Sequence, residues 1–280
     1  MKTPRIDDRD WTALTTGERI RQIEVEGYVV LPDLLSADDL TRLKQATAKL
    51  ETFAVDYSVH QRGRPGVHFM GGAMTELIGH PETLSFLRIL FGDEIIVMTY
   101  DYACSEPGHP GVSLHTDGQP YGSEIFGYEG SCPCLVRVLY YLDDLTPEVS
   151  PFRAVPHSHL ALHADANPYK RYESHPEEVM VTVKAGSAVA FQHHLFHGNF
   201  PNTGTRSREM LAISYRPAWA GPAQDISAFD PAEVEKLPDP IRPLFADRNT
   251  RHWNFSGGNK PRNMASEAPG INPSRWQRTP

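Results

Sequence analysis

The sequence predicts a mainly β protein, a sandwich or barrel with helices in front of it. Two observations carry this. Beyond about residue 93 the chain falls into short runs rich in β-branched and aromatic residues, separated by turn signals. Before that point, apolar residues recur at helical spacing behind capping residues. The 280-residue length suits one such domain with additions. Three parts are expected: a helical stretch over 1–92, a barrel over about 93–217, and an irregular tail or lid over 218–280.

The elements follow in order. Residues 13–27 read as a helix that leads into a short strand, Tyr28-Val29-Val30-Leu31, stopped by Pro32. Ser36-Ala37-Asp38-Asp39 resembles a capping box, with Ser36 as N-cap and Asp39 standing in for the usual Glu. Leu40, Leu43, Ala46, Thr47 and Leu50 continue it at helical spacing. Residues 54–72 read as a Gly- and Arg-containing loop. A second helix is predicted over about 81–91, ended by Gly92. Strands are then predicted at 95–100, 112–117, 135–142, 152–155, 179–183, 188–191 and 210–215. From about 217 the chain is rich in Pro, Asp and Asn, with little periodicity.

Composition narrows the function classes. Hydrophobic residues make up 40% and charged residues 22%, ordinary for a globular domain. The net charge of -8 argues against a nucleic-acid partner, which needs clustered Lys and Arg. The three cysteines, Cys104, Cys132 and Cys134, do not make a secreted disulfide framework. Cys132-Pro133-Cys134 has one intervening residue and no second pair, so it reads as structural. The charged N-terminus lacks an apolar run, and no stretch reaches membrane-spanning length. The expectation is a cytoplasmic protein, monomer or homodimer, acting on a small molecule and using neither membrane nor nucleic acid.

The chemistry begins at His115-Thr116-Asp117, in a predicted strand. Alternation puts residues i and i+2 on one face, so His115 and Asp117 would point the same way. A third donor would come from the stretch holding His193, His194 and His197. Two imidazoles and a carboxylate make the facial triad of non-haem Fe(II) oxygenases, with positions left open for co-substrate and O₂. An isolated His-x-Asp is a weak signal, more often a surface pair at a strand end. Arg208, eleven positions after His197, opens the last predicted strand, and a guanidinium can hold a carboxylate through two parallel hydrogen bonds.

The order of motifs carries a resemblance. His115-Thr116-Asp117 is followed by Leu139-Tyr140-Tyr141-Leu142-Asp143-Asp144-Leu145-Thr146, Val155-Pro156-His157-Ser158-His159, Gly186-Ser187-Ala188-Val189-Ala190-Phe191, and His197-Gly198-Asn199-Phe200-Pro201-Asn202 with Arg208. Over roughly residues 20–220 the chain resembles the phytanoyl-CoA dioxygenase family, which includes ectoine hydroxylase. The resemblance implies a double-stranded β-helix, a cupin-like jelly-roll barrel, in a single oxygenase domain over 1–280. It implies His115, Asp117 and His197 as ligands of Fe(II), and 2-oxoglutarate and O₂ as co-substrates. Arg208 would pair with the distal carboxylate of 2-oxoglutarate, helped by Asn199. The implied reaction is oxidative decarboxylation to succinate and CO₂, coupled to hydroxylation of an unactivated C–H bond. Asp117 favours hydroxylation over halogenation, because related halogenases have Gly or Ala there. Two positions depart from the pattern: Ser150 and His157 stand where the family usually has Gly.

Other residues divide between site and scaffold. His193 and His194 could replace His197, but only His197 has the Gly-Asn-x-Pro-Asn sequence and the Arg spacing behind it. Tyr100 and Tyr102 share a strand face; Tyr102 is expected near the co-substrate and Tyr100 near the substrate, or else both in the barrel core. Tyr121 would cap the site from a loop or simply fill that loop. Arg137, a charge in an apolar strand, would face solvent or bind an acidic substrate or co-substrate in the pocket. His157 and His159 read as turn-stabilising. Arg206 is the reserve carboxylate anchor. Trp219 and Trp253 read as tail core or entrance cover. Rival readings are same-cofactor desaturation, epimerisation or cyclisation in natural-product biosynthesis, a non-catalytic metal-binding barrel, and a Zn²⁺ hydrolase. The last gives no role to Arg208.

Overall fold

A computed structural model describes residues 4–55, 58–117, 135–160, 174–218, 220 and 228–246. Tyr121, Cys132, Cys134, Trp219 and Trp253 lie outside the described residues. In chain order the elements are β1 (Arg5–Asp7), α1 (Thr16–Val25), β2 (Tyr28–Leu31), α2 (Ala37–Thr47), β3 (Phe53–Val55), β4 (Ser58–Arg64), α3 (Gly72–Ile78), α4 (Pro81–Phe91), β5 (Ile95–Ser105), β6 (Val112–His115), β7 (Val136–Tyr141), β8 (Phe152–Ala154), β9 (Val179–Val181), β10 (Ala188–Gln192), β11 (His197–Asn199), β12 (Arg208–Pro217) and α5 (Pro231–Glu235).

Local chemistry accounts for the helix starts. The capping box at Ser36 is present: its hydroxyl accepts from the Asp39 amide, and Asp39 accepts from the Ser36 amide at 3.0 Å. A second box, Thr15 with Glu18, starts α1. Pro81 sets the first turn of α4, and Gly92 at φ 83° ends it.

The strands form two sheets. One has the order β1-β9-β8-β11-β6; the other has β2-β10-β7-β12-β5-β4-β3. Their facing side chains share one core, as the Phe152 and Phe191 rings show at 5.4 Å. This is a jelly-roll layering, with α2 and α4 before the barrel strands as predicted. Among the described residues no helix is long and apolar enough to cross a membrane.

Three readings need correction. Residues 54–72 are not all loop: β4 pairs with β5 from Gln61↔Ser105 to Arg64↔Tyr102, and β3 pairs with β4. β3 is only three residues long and mostly exposed, and β4 is mostly polar and only partly buried, so neither shows the alternation that marks a strand. The helix α3 is likewise unpredicted. The strand carrying His115 ends at His115, not Asp117.

The two departures from the family pattern have a backbone counterpart. Ser150 has φ 44° and His157 φ 65°, the left-handed region where glycine is least strained. Each side chain has a local partner. The Ser150 hydroxyl lies 2.6 Å from that of Ser105, and His157 Nδ1 lies 2.9 Å from the Val25 carbonyl.

Candidate active site

Two strands and one turn assemble the site. β6 and β11 run antiparallel with His115 opposite His197. Gly198 permits this: a Cβ there would sit 2.4 Å from the Val112 carbonyl oxygen. Asp117 lies beyond the strand, and its amide donates to the His193 carbonyl at 2.9 Å. That bond tethers the turn, so the carboxylate reaches the imidazoles without simple strand alternation.

The lone pairs converge. His115 Nδ1 lies 2.8 Å from the Ser113 carbonyl and His197 Nδ1 3.0 Å from that of Leu195. A carbonyl only accepts, so each Nδ1 carries the proton and each Nε2 presents a lone pair. Both Nε2 atoms lie 3.7 Å from Asp117, one near each carboxylate oxygen. The ligand atoms of the three residues all lie within 4.8 Å of one another, the one such grouping among the described residues. His193 and His194 are outside it; His193 instead bonds the Leu135 carbonyl at 3.1 Å.

Electrostatics keeps the set ready for a cation. Burial pushes His197 down to about 3, with His115 adding to the shift, so it is neutral at neutral pH. Burial alone would raise the Asp117 carboxyl, but Arg137, His197 and His115 hold it well below the usual range. The donor set of two neutral imidazoles and a carboxylate fits Fe(II).

Strand register fixes which other residues look inward. On β7 and β12, Arg137 faces Ser214 and Tyr141 faces Met210. Arg137 reaches Asp117, so Arg137, Leu139 and Tyr141 share the face that looks on the triad, with Ser214, Ala212, Met210 and Arg208. Arg208 is fully buried, its guanidinium 5.7 Å from the centre of the Tyr141 ring. Asn199, two after His197 on β11, donates to the Ser150 carbonyl at 3.4 Å. Burial pushes the Tyr141 hydroxyl up to about 12, so it is a donor at neutral pH, while Arg208 and Asn199 pull the other way. Arg206 is spent at the surface on the Asp144 carbonyl, 2.6 Å away.

Tyr100 and Tyr102 take the opposite face. Their neighbours Thr99 and Asp101 look inward, so the two tyrosines look out toward the helices. The Tyr102 hydroxyl donates to Glu209 at 2.8 Å, and Tyr100 is fully buried with its hydroxyl 3.8 Å from the Met74 sulfur. This corrects their assignment to co-substrate and substrate. The sequence showed that they share a face, but not which one. Arg137, expected to meet an acidic substrate or co-substrate, donates instead to two carboxylates of the chain itself, Asp117 at 2.9 Å and Asp101 at 3.3 Å. Asp101, Tyr141 and Ser105 escaped the sequence reading; alternation from Arg137 and Arg208 is the signal that would have found them. His157 and His159 bond the carbonyls of Val25 and Glu24, the turn-stabilising role expected of them.

Two imidazoles and a carboxylate gathered on a jelly roll define the class: a non-haem oxygenase of the facial-triad type. The chain belongs to the phytanoyl-CoA dioxygenase (PhyH) family, whose model matches residues 23–210. It is similar to an L-proline trans-4-hydroxylase from Streptomyces griseoviridis, 24% identical over 264 residues, covering 80% of this chain and 94% of that one. Among solved structures, HygX from Streptomyces hygroscopicus with nickel and 2-oxoglutarate bound aligns with a TM-score of 0.62 at 19% identity, covering 74% of this chain and 89% of that one. The carbocyclase SnoK from nogalamycin biosynthesis aligns at 0.60 and 20%, covering 78% and 96%. These two likenesses show the fold.

Proposed function

We propose that this chain is an Fe(II)- and 2-oxoglutarate-dependent dioxygenase, one domain over residues 1–280, that hydroxylates an unactivated C–H bond of a small-molecule metabolite. Succinate and CO₂ are its co-products. One observation carries the reading: three converging ligands and a buried arginine share one barrel interior. His115, Asp117 and His197 hold the metal through Nε2, a carboxylate oxygen and Nε2. Bound metal and co-substrate together supply O₂ activation; the chain supplies place and order. Arg208 pairs with the distal carboxylate of 2-oxoglutarate, the Tyr141 hydroxyl donates to the same group, and Asn199 braces that end of the pocket. A buried guanidinium and a protonated phenol favour an anion there without admitting water. The carbonyls of Ser113 and Leu195 fix the imidazole tautomers, so the metal meets a preset face.

The test uses protein purified anaerobically. Fe(II) and 2-oxoglutarate should produce a weak visible charge-transfer band, and O₂ should then yield succinate. A metal-loaded protein with neither signal would sink the reading. Product mass separates hydroxylation from desaturation, epimerisation and cyclisation, which differ in how substrate is placed rather than in ligands.

A further inference from the structure

Asp101 is an inward-facing carboxylate that neither the triad nor the co-substrate pocket uses. It sits on β5 opposite Ala212 of β12. Its two oxygens are held from different sides: the Gly66 amide donates to Oδ1 at 3.2 Å and Arg137 donates to Oδ2 at 3.3 Å. Through Arg137 it lies one guanidinium and two hydrogen bonds from Asp117. That places it beside the reacting region. Its side chain is 30% exposed, against 5% for Asp117. The inward neighbours Thr99, Ala103, Ala212 and Ser214 are small.

Charge decides what Asp101 can meet. Arg137 is shared by two carboxylates, so it has no net charge left for an acidic substrate. On the proposed reading, Asp117 is committed to the metal, and a dianionic co-substrate sits against the metal and Arg208. Metal and guanidinia then balance the co-substrate and both aspartates. A net-anionic substrate would add an uncompensated charge to a poorly solvated site. A net-neutral substrate would not, provided that any cationic centre meets the free lone pairs of Asp101.

We propose that Asp101 is a specificity-determining residue that receives an ammonium group of the substrate, with Arg137 tying that anchor to Asp117. The substrate class is therefore an amine-bearing, net-neutral metabolite, a zwitterionic amino or imino acid being the simplest. This inference rests on the function proposed above.

The experiment uses full-length protein loaded with Fe(II) and 2-oxoglutarate. The probes are L-proline and the other proteinogenic amino acids, each against its deaminated carboxylic acid, such as cyclopentanecarboxylate for proline. Half-saturation is read from substrate-stimulated succinate formation. Amine-bearing members should be preferred about tenfold or more, the ratio that about 1.4 kcal/mol confers. Asp101→Asn should reduce that ratio to within about threefold, and Asp101→Glu should restore it. A ratio cancels any general loss of folding or metal, so a merely structural role would not move it. Equal stimulation by both members of each pair, stimulation by neither, or an unchanged ratio in Asp101→Asn overturns the proposal. Loss of the charge-transfer band and of all succinate in the unaltered protein would instead overturn the parent reading.

Discussion

Single residues matter here through where their lone pairs point. His197 turns Nε2 toward Asp117, whereas His193 is bound up with Leu135. His197→Ala should therefore abolish the chelate band and succinate formation, and His194→Ala should leave both; a reversed result in metal titration would move the ligand. Arg208→Met removes the buried cation. It should raise half-saturation for 2-oxoglutarate by about 100-fold, the scale for truncating one partner of a desolvated charge pair, with metal affinity unchanged. A variant with unaltered 2-oxoglutarate saturation would release Arg208 from its role. The triad was legible in the sequence because its identities and spacing are chemical. Orientation was less legible. Arg137 looked like a substrate contact because its partner Asp117 lies twenty residues away, a distance that no periodicity describes.

Among the elements, β11 is three residues long, yet it carries the distal ligand. Its sequence, His-Gly-Asn, has no strand propensity to speak of; pairing with β6 and β8 makes it a strand. The same holds for polar β4, recruited by the long β5. The strands of the central sheet were predictable because burial on both faces leaves an apolar, β-branched imprint. Gly198 is where element and site meet. Gly198→Ala would bring a Cβ to 2.4 Å from the Val112 oxygen, so β6 and β11 must separate. The expected results are destabilisation of about 1–3 kcal/mol and a loss of metal affinity, seen in thermal melts and metal titration. Gly17, with nothing within 4 Å of its added Cβ, is the control: in α1, Ala there should raise stability slightly. Equal behaviour of the two variants would remove close approach as the reason for Gly198.

The whole molecule buries several imidazoles in neutral form, and this sets its response to acid. Burial pushes His197 and His109 down to about 3 and His193 to about 4. In the unfolded chain each titrates near 6.5. Between those values the unfolded state binds protons that the native state refuses, so stability falls as pH falls below about 6.5. At pH 5 each such imidazole costs about 2 kcal/mol. Three together approach the total stability of a typical domain, about 5–15 kcal/mol. Asp117 acts in a lower window. Its depressed carboxyl contributes stability above the unfolded value near 4, lost only as pH falls below that. The loss between pH 6.5 and 4 therefore belongs to the imidazoles. Metal-free protein should melt on the order of ten degrees lower at pH 5 than at pH 7.5. Calorimetry in buffers of different ionisation enthalpy should record uptake of about three protons on unfolding at pH 5. Bound metal should raise the melting temperature at neutral pH by mass action and lose that effect on acidification, because protons and metal compete for His197 once the surrounding fold loosens. A melting temperature that stays flat from pH 7.5 to 5 in the metal-free protein would mean that these imidazoles are not held neutral, and the preset metal face would lose its physical basis.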